Sequence, residues 1–213
     1  MPKHTIYPLS NYTFATKEAQ TEQEPTVLGR LNRLESDFKE HGMRTTVEGL
    51  LVVHEHGHPH VLLLQVANSF FKLPGDHLQP GEDETLGLQQ RMYLRLGPES
   101  GGAAGEAGDD RAMSGVGSGD INDWTVGEPV GHFWRPNFET FMYPYMPAHL
   151  SEPKERKTWY LIQMPERQTL TVPKNMKLVA LPLFELYDNA VRYGPQLASL
   201  PALLSRIEFQ HAP

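Results

Sequence analysis

The stretch GDHLQPGEDETLGLQQRMYLRLG occupies residues 75–97. We interpret it as a loop punctuated by glycine and proline, followed by a helix. Glu82 and Glu84 stand at the expected start of that helix, where negative charge stabilises the helix dipole. Asp76 lies ahead of them, so the three carboxylates could alternatively form a metal site.

The spacing of this stretch resembles the signature loop and helix of the Nudix pyrophosphohydrolases. The family pattern is Gly, five residues, Glu, seven residues, Arg-Glu, an aliphatic residue, any residue, Glu-Glu, any residue and Gly. Glu82, Met92 and Gly97 are in register with it, and Asp76 occupies the first glycine position. The resemblance implies an α/β (α+β) Nudix fold, in which a mixed β-sheet is sandwiched between helices, and a single domain over residues 1–213.

The chemical positions of the pattern have changed in this chain. The family's Arg-Glu is Gln90-Arg91, and its Glu-Glu is Leu94-Arg95, so all three metal-binding carboxylates are missing. Magnesium requires oxygen ligands, and a guanidinium offers no acceptor. The sequence therefore predicts no enzyme, with no catalytic residues, no metal and no cofactor.

Composition limits the possible functions further. The 213 residues contain no cysteine, and their formal net charge is −7. Disulfides and thiolate zinc sites are excluded, and no apolar run is long enough for a membrane span. An acidic chain is a poor binder of phosphates. If it binds nucleic acid, we expect it to read bases, while a basic partner contacts the backbone.

Local patterns predict the elements around the 75–97 stretch. Residues 1–20 are expected to form an N-terminal arm or edge strand. Glu24-Pro25 predicts the start of a helix that ends at Gly42, with core-facing residues at helical spacing. Those residues are Val27, Leu31, Leu34 and Phe38.

Two apolar runs, Leu50 to Val53 and Val61 to Val66, predict strands joined by a turn. The four histidines of that turn, His54, His56, His58 and His60, leave a metal site open as an alternative. Further strands are predicted at Trp159 to Met164 and Leu178 to Leu183, and a short helix from Leu197 to Ile207.

Residues 98–120 differ in composition from the rest of the chain. They are rich in glycine, alanine, serine and aspartate and contain almost nothing to bury. We interpret them as a flexible insertion within the single domain.

Longer strings carry a closer resemblance, which runs from about Ile6 to Phe209. The chain resembles the family of 25 kDa subunits of pre-mRNA cleavage factor I, also called cleavage and polyadenylation specificity factor subunit 5. This resemblance implies a nuclear homodimer that binds single-stranded RNA at UGUA elements during mRNA 3′-end processing. It also implies a larger partner subunit with an RNA recognition motif. The strings are IYPLSNYTF at 6–14, GMRTTVEG at 42–49, FFKLPG at 70–75, WRPNF at 134–138, YPY at 143–145 and PLFELYDN at 182–189.

The resemblance also implies RNA-contacting residues. Adjacent strand residues point to opposite faces, so Phe70 and Phe71 could present one ring to a base, although both could instead be core. Glu22 and Arg30 could read base edges, or could form an ordinary surface ion pair. The implied positions are Glu22, Arg30, Glu48, Ser69, Phe70, Phe71, Leu73, Tyr193 and Gly194.

Three other functions remain open at this point. The first is an active Nudix hydrolase, which would need the missing carboxylates. The second is a nucleotide- or dinucleotide-binding pseudohydrolase that acts as a sensor. The third is a purely structural dimeric scaffold.

Overall fold

A computed structural model describes residues 2–20, 26–67, 70–98 and 124–213. The predicted insertion at 98–120 therefore lies outside the described residues except for Pro98, and so does the predicted helix start at Glu24-Pro25. Within the described ranges, no helix is long and apolar enough to cross a membrane.

Seven strands form the central sheet. Four of them run in the order β10-β4-β3-β8 and β7 completes the row, while β5 pairs with β4 and β6 with β3. The β3–β8 pair is parallel and its neighbours are antiparallel, so the sheet is mixed as predicted. The strands are β3 Arg44–Glu55, β4 His58–Val66, β5 Phe70–Lys72, β6 Gly75–His77, β7 Thr125–Arg135, β8 Glu155–Gln163 and β10 Met176–Pro182.

Two small parallel pairs flank this sheet. The pair β1–β11 joins the two ends of the described chain, and β2–β9 joins the N-terminal segment to the region after β8. Ile6 and Tyr12 are buried, so the segment predicted as one arm or edge strand is two packed strands, separated by a 3-10 turn at Leu9–Asn11. The strands are β1 Lys3–Ile6, β2 Tyr12–Lys17, β9 Gln168–Pro173 and β11 Glu208–His211.

The helices lie on the faces and ends of the sheet. Helix α1 begins after Thr26, whose side chain accepts from the Gly29 amide at 3.0 Å, and ends before Gly42, as predicted. Of its predicted core face, Leu34 is buried, whereas Val27 is exposed because it lies in the first turn. The helices are α1 Val27–His41, α2 Glu84–Leu96, α3 Leu183–Leu186, α4 Ala190–Ala198 and α5 Leu200–Leu204.

The apolar runs at 50–53 and 61–66 form the predicted hairpin. Its turn residues His56 and Gly57 both have positive φ, 50° and 78°, which two-residue hairpin turns favour. The helix predicted over 197–207 is confirmed up to Leu204, as the end of α4 and the whole of α5, and is wrong for residues 205–207. The chain kinks between α4 and α5 and then forms β11, because the last residues find a strand partner in β1.

Two apolar clusters cover the two faces of the sheet. The first cluster includes Val47 and Leu51 of β3 together with Leu88 and Met92 of α2. The second cluster includes residues of β3 and β8 together with α3, α4 and α5. Alternation along β3 sends successive side chains to different clusters, so the α2 side and the α4 side of the sheet are separate surfaces.

Candidate functional site

The loop and helix at residues 75–97 form as the sequence predicts. Asp83 caps α2 by accepting from the amides of Thr85 and Leu86 at 3.0 and 2.9 Å. Leu88, Met92 and Leu96 are completely buried, which fixes one face of α2 against the sheet. The positions where Nudix enzymes carry metal-binding carboxylates therefore lie away from that face.

Arg91, at the first of those positions, closes the loop onto the helix. Its guanidinium donates to both carboxylate oxygens of Glu82, with Nη2 2.8 Å from Oε2. The same group donates from Nε and Nη2 to the His77 carbonyl at 3.0 and 2.8 Å. Both carboxylate oxygens of Glu82 are thus engaged by one bidentate ion pair, and Oε2 also accepts from the Gln79 amide at 2.8 Å.

Arg95, at the last of those positions, neutralises Asp76. Its Nη2 lies 2.8 Å from Asp76 Oδ2, and its Nη1 donates to Gln20 Oε1 at 2.9 Å. Burial alone would raise the pKa of Asp76, but the hydrogen bond from His77 and the charges of His77 and Arg95 hold it well below its usual range. Asp76 is therefore an ionised partner of a cation.

Glu84, the third carboxylate of the alternative metal site, is also paired. Arg156 donates to its Oε1, and the Tyr160 hydroxyl donates to its Oε2 at 2.8 Å. Burial and the bond to Glu84 raise the pKa of Tyr160. The three carboxylates thus point to three different partners. In the described ranges, no three His, Cys, Asp or Glu side chains are grouped so that they could hold a metal ion, the hairpin histidines included.

The implied RNA-contacting residues lie elsewhere, and Phe70 and Phe71 occupy different environments. Both are in β5, opposite Val66 and Gln65 of β4. The Phe70 side chain is 51% exposed, whereas Phe71 packs against the second cluster, with its ring centroid 5.0 Å from that of Tyr193. The reading that places both rings in the core is wrong for Phe70, whose ring is available to a ligand.

Tyr193 and Gly194 are next to that ring pair. Tyr193 is buried, and its hydroxyl donates to Glu185; burial and this bond raise the pKa of Tyr193 to about 12. Gly194 interrupts α4 with φ 84° and ψ 160°, and no described residue outside its own helix turn has an atom within 4 Å of the point where a Cβ would stand. The backbone at Gly194 therefore has free space beside it, while the Tyr193 ring packs against that of Phe71.

Glu48 and Leu73 are less accessible. The Glu48 side chain is 13% exposed and is held by Lys157 and by the Trp159 indole. Leu73 is 1% exposed, so only its backbone could reach a ligand. Its side chain, like those of Phe71 and Tyr193, belongs to the second cluster.

Arg30 lies on the exposed side of α1, where its backbone amide donates to the Thr26 carbonyl, and the described part of the chain gives its side chain no hydrogen bond or ion pair. Glu22 and Ser69 lie outside the described residues. The structure thus gathers Glu48, Phe71, Leu73, Tyr193 and Gly194 on the second-cluster side, with Phe70 beside them. The sequence did not single out Lys157 and Trp159, which hold Glu48, because the predicted strand begins at Trp159 whereas β8 begins at Glu155.

Known proteins resemble the chain over nearly its whole length. The family model NUDIX_2, described as "Nucleotide hydrolase", matches residues 2–207. "Pre-mRNA cleavage factor Im 25 kDa subunit 2" of Arabidopsis thaliana is 49% identical over 203 residues, which cover 95% of this chain and 93% of that protein. "Cleavage and polyadenylation specificity factor subunit 5" of Dictyostelium discoideum is 39% identical over 206 residues, 96% of this chain and 94% of that protein.

A solved structure, the Nudix domain of Shewanella oneidensis NrtR, aligns with a TM-score of 0.45 and 11% identity over 81% of this chain and 97% of that one.

Proposed function

The chain belongs to the Nudix family and, within it, to the family of 25 kDa subunits of pre-mRNA cleavage factor Im, and from this we propose that it is a non-catalytic, sequence-specific RNA-binding subunit of a pre-mRNA cleavage factor. Its RNA target is the UGUA element that the resemblance implies. The names of its relatives supply the process, since these proteins are called cleavage factor and polyadenylation factor subunits.

The observation that carries the loss of catalysis is the pairing of Arg91 with Glu82 and of Arg95 with Asp76. A Nudix hydrolase needs carboxylates on this helix to hold magnesium against a diphosphate. Here cations stand in two of the three metal-binding positions, Leu94 stands in the third, and the neighbouring acids are already neutralised. A divalent ion would have to displace two ion pairs and approach two guanidinium charges, which repel it.

The proposed RNA surface combines one free ring with polar groups around it. Phe70 offers an aromatic face for stacking, which contributes roughly 1–3 kcal/mol per base. Glu48 accepts hydrogen bonds, Arg30 donates them, and the open backbone at Gly194 lets a ligand approach closely. The proposed contact residues are Glu22, Arg30, Glu48, Ser69, Phe70, Phe71, Leu73, Tyr193 and Gly194.

The partners follow from the same resemblance and from charge. The protein acts in the nucleus as a homodimer together with a larger subunit that carries an RNA recognition motif. The net charge of −7 supports a basic partner subunit. An acidic subunit gains little binding affinity from RNA phosphates, and a basic partner can supply those contacts.

A fluorescence titration of the purified protein tests the proposal. One arm uses an RNA oligonucleotide containing UGUA, and the other a scrambled sequence of equal length and composition. A preference of tenfold or more for UGUA supports base-specific recognition. Equal binding of the two oligonucleotides would contradict it, and tighter binding of a free dinucleotide than of either RNA would favour a nucleotide sensor instead.

A further inference from the structure

Both carboxylate oxygens of Glu48 are held by side chains of the neighbouring strand. Lys157 Nζ lies 2.9 Å from Oε1, and the Trp159 indole N–H donates to Oε2 with a separation of 2.7 Å. Lys157 and Trp159 are two residues apart on β8, so they project to the same face, and Trp159 is the register partner of Glu48. The Glu48 carboxylate is therefore bound by two donors from one strand.

Lys157 belongs to a compact charge network. Glu155, on the same face of β8, accepts from Thr46 Oγ1 at 2.7 Å and from Arg135 Nε at 2.8 Å. Burial alone would lower the pKa of Lys157, but the carboxylates of Glu48 and Glu155 raise it above its usual value. The network contains two cations and two anions in balance, and the Lys157 side chain is only 18% exposed.

Two donors do not exhaust a carboxylate, because its two oxygens offer about four lone-pair sites. The part of the Glu48 side chain that remains accessible, 13%, can therefore still accept from N–H groups of a base. A hydrogen bond accepted by a charged group discriminates only if its direction is fixed, since a freely rotating carboxylate would accommodate several base edges.

We propose that Lys157 and Trp159 are positioning residues that fix the orientation of the Glu48 carboxylate for base recognition. This inference rests on the proposed RNA-binding function. Neither side chain needs to touch the RNA. Lys157 and Trp159 act through Glu48, so removing either should lower the preference for UGUA over scrambled RNA as well as the affinity.

A double-mutant cycle separates this role from direct contact and from a general change in charge. The single variants are Glu48→Gln and Lys157→Met, combined in a double variant. Lys174→Met is the matched control, because it removes a lysine whose partner is the exposed Glu18. Each protein is titrated with UGUA and with scrambled RNA, after its melting curve shows that it is folded.

We expect Lys157→Met to weaken UGUA binding roughly tenfold in the wild-type background and less than twofold when Glu48 is already Gln. The control should weaken both RNAs equally and slightly. Equal losses from Lys157→Met in both backgrounds would overturn the inference while leaving the proposed function intact. A wild-type protein that does not distinguish UGUA from scrambled RNA would overturn both.

Trp159→Phe provides a second test, which also covers the case that Lys157→Met fails to fold. It keeps an aromatic ring beside Phe133, whose centroid lies 4.5 Å from that of Trp159, but removes the N–H donor. We expect a several-fold loss of UGUA preference that disappears in the Glu48→Gln background. An unchanged preference in folded Trp159→Phe would show that the indole does not position Glu48.

Discussion

The Arg91 guanidinium donates to both carboxylate oxygens of Glu82 and also to the His77 carbonyl. One side chain therefore joins the start of the loop, its end and the middle of α2. The contacts of this one arginine tie the loop to the helix through groups of the chain itself.

Replacing Arg91 by Gln should destabilise the fold. Glu82, whose side chain is 20% exposed, would lose its bidentate partner, and the His77 carbonyl would lose two donors. We expect the free energy of unfolding to fall by about 2 kcal/mol, measured by urea denaturation. Arg33→Gln is the control, because within the described residues the one ion pair of Arg33 is an exposed contact with Asp37 at 4.0 Å. Equal effects of the two substitutions would show that the Arg91 pair is not structural.

The protein should not hydrolyse nucleotides. Asp76 and Glu82, which precede α2, are paired with Arg95 and Arg91, and Glu84, the one carboxylate within α2, is paired with Arg156, so none of the three is free to bind magnesium. Incubation with dinucleoside polyphosphates and magnesium, followed by chromatography of the products, should give no turnover above a buffer blank. Turnover that requires magnesium and disappears in Glu82→Gln would refute this expectation.

Substitution of Phe70 should mainly lower RNA affinity, whereas substitution of Phe71 should mainly lower the stability of the fold. Phe70→Ala removes a 51% exposed ring, so RNA affinity should drop about ten- to a hundredfold, as expected for a lost stacking contact, while the melting temperature changes little. Phe71→Ala removes the partner of the Tyr193 ring and should destabilise the protein by about 2–4 kcal/mol. The opposite outcome, with Phe70→Ala destabilising and RNA binding unaffected, would contradict the assignment.

The contribution of Glu155 to the stability of the fold should decrease in acid. Burial alone would raise the pKa of its carboxyl, but Arg135 and Lys157 and the bonds from Thr46 and Arg135 lower it. A carboxyl with a depressed folded-state pKa contributes stability above its unfolded pKa, about 4.3, and that contribution is lost as the pH falls further.

The wild type should therefore be more stable than Glu155→Gln at pH 7, and the difference should shrink below about pH 4. Denaturant unfolding at a series of pH values measures this difference. Glu166→Gln, in an exposed pair with Arg167, should show almost no difference at any pH. A gap between wild type and Glu155→Gln that grows on acidification would be inconsistent with the network.

Sequence patterns predicted the elements whose burial is dictated locally. The β3–β4 hairpin follows from two apolar runs. Helix α2 follows from the loop–helix spacing within residues 75–97. Strand β11 was missed because Glu208–His211 is polar and becomes a strand only through β1, about two hundred residues away in sequence. The contacts of Lys157 and Trp159 with Glu48 could not be predicted either, because they depend on the register of β3 against β8, which are distant in sequence.

The candidate RNA surface could be defined only by combining the family resemblance with the side-chain packing in the structure. The family resemblance marked Phe70 and Phe71 but could not distinguish them. Their different exposure follows from the packing of Phe71 onto Tyr193 of α4, which lies more than a hundred residues further along the chain. Leu73 shows the limit of position-by-position transfer, because its side chain is fully buried and only its backbone remains for a ligand.

We propose that this protein recognises RNA through bases, without phosphate-driven affinity and without catalysis. A salt series of binding curves for the isolated protein, with UGUA and scrambled RNA, tests it most directly, because the slope of log affinity against log salt concentration counts neutralised phosphates. We predict a shallow slope equivalent to about two phosphates or fewer, with UGUA preferred at every salt concentration. A steep slope equivalent to about five or more phosphates, with equal affinity for both RNAs, would contradict the account.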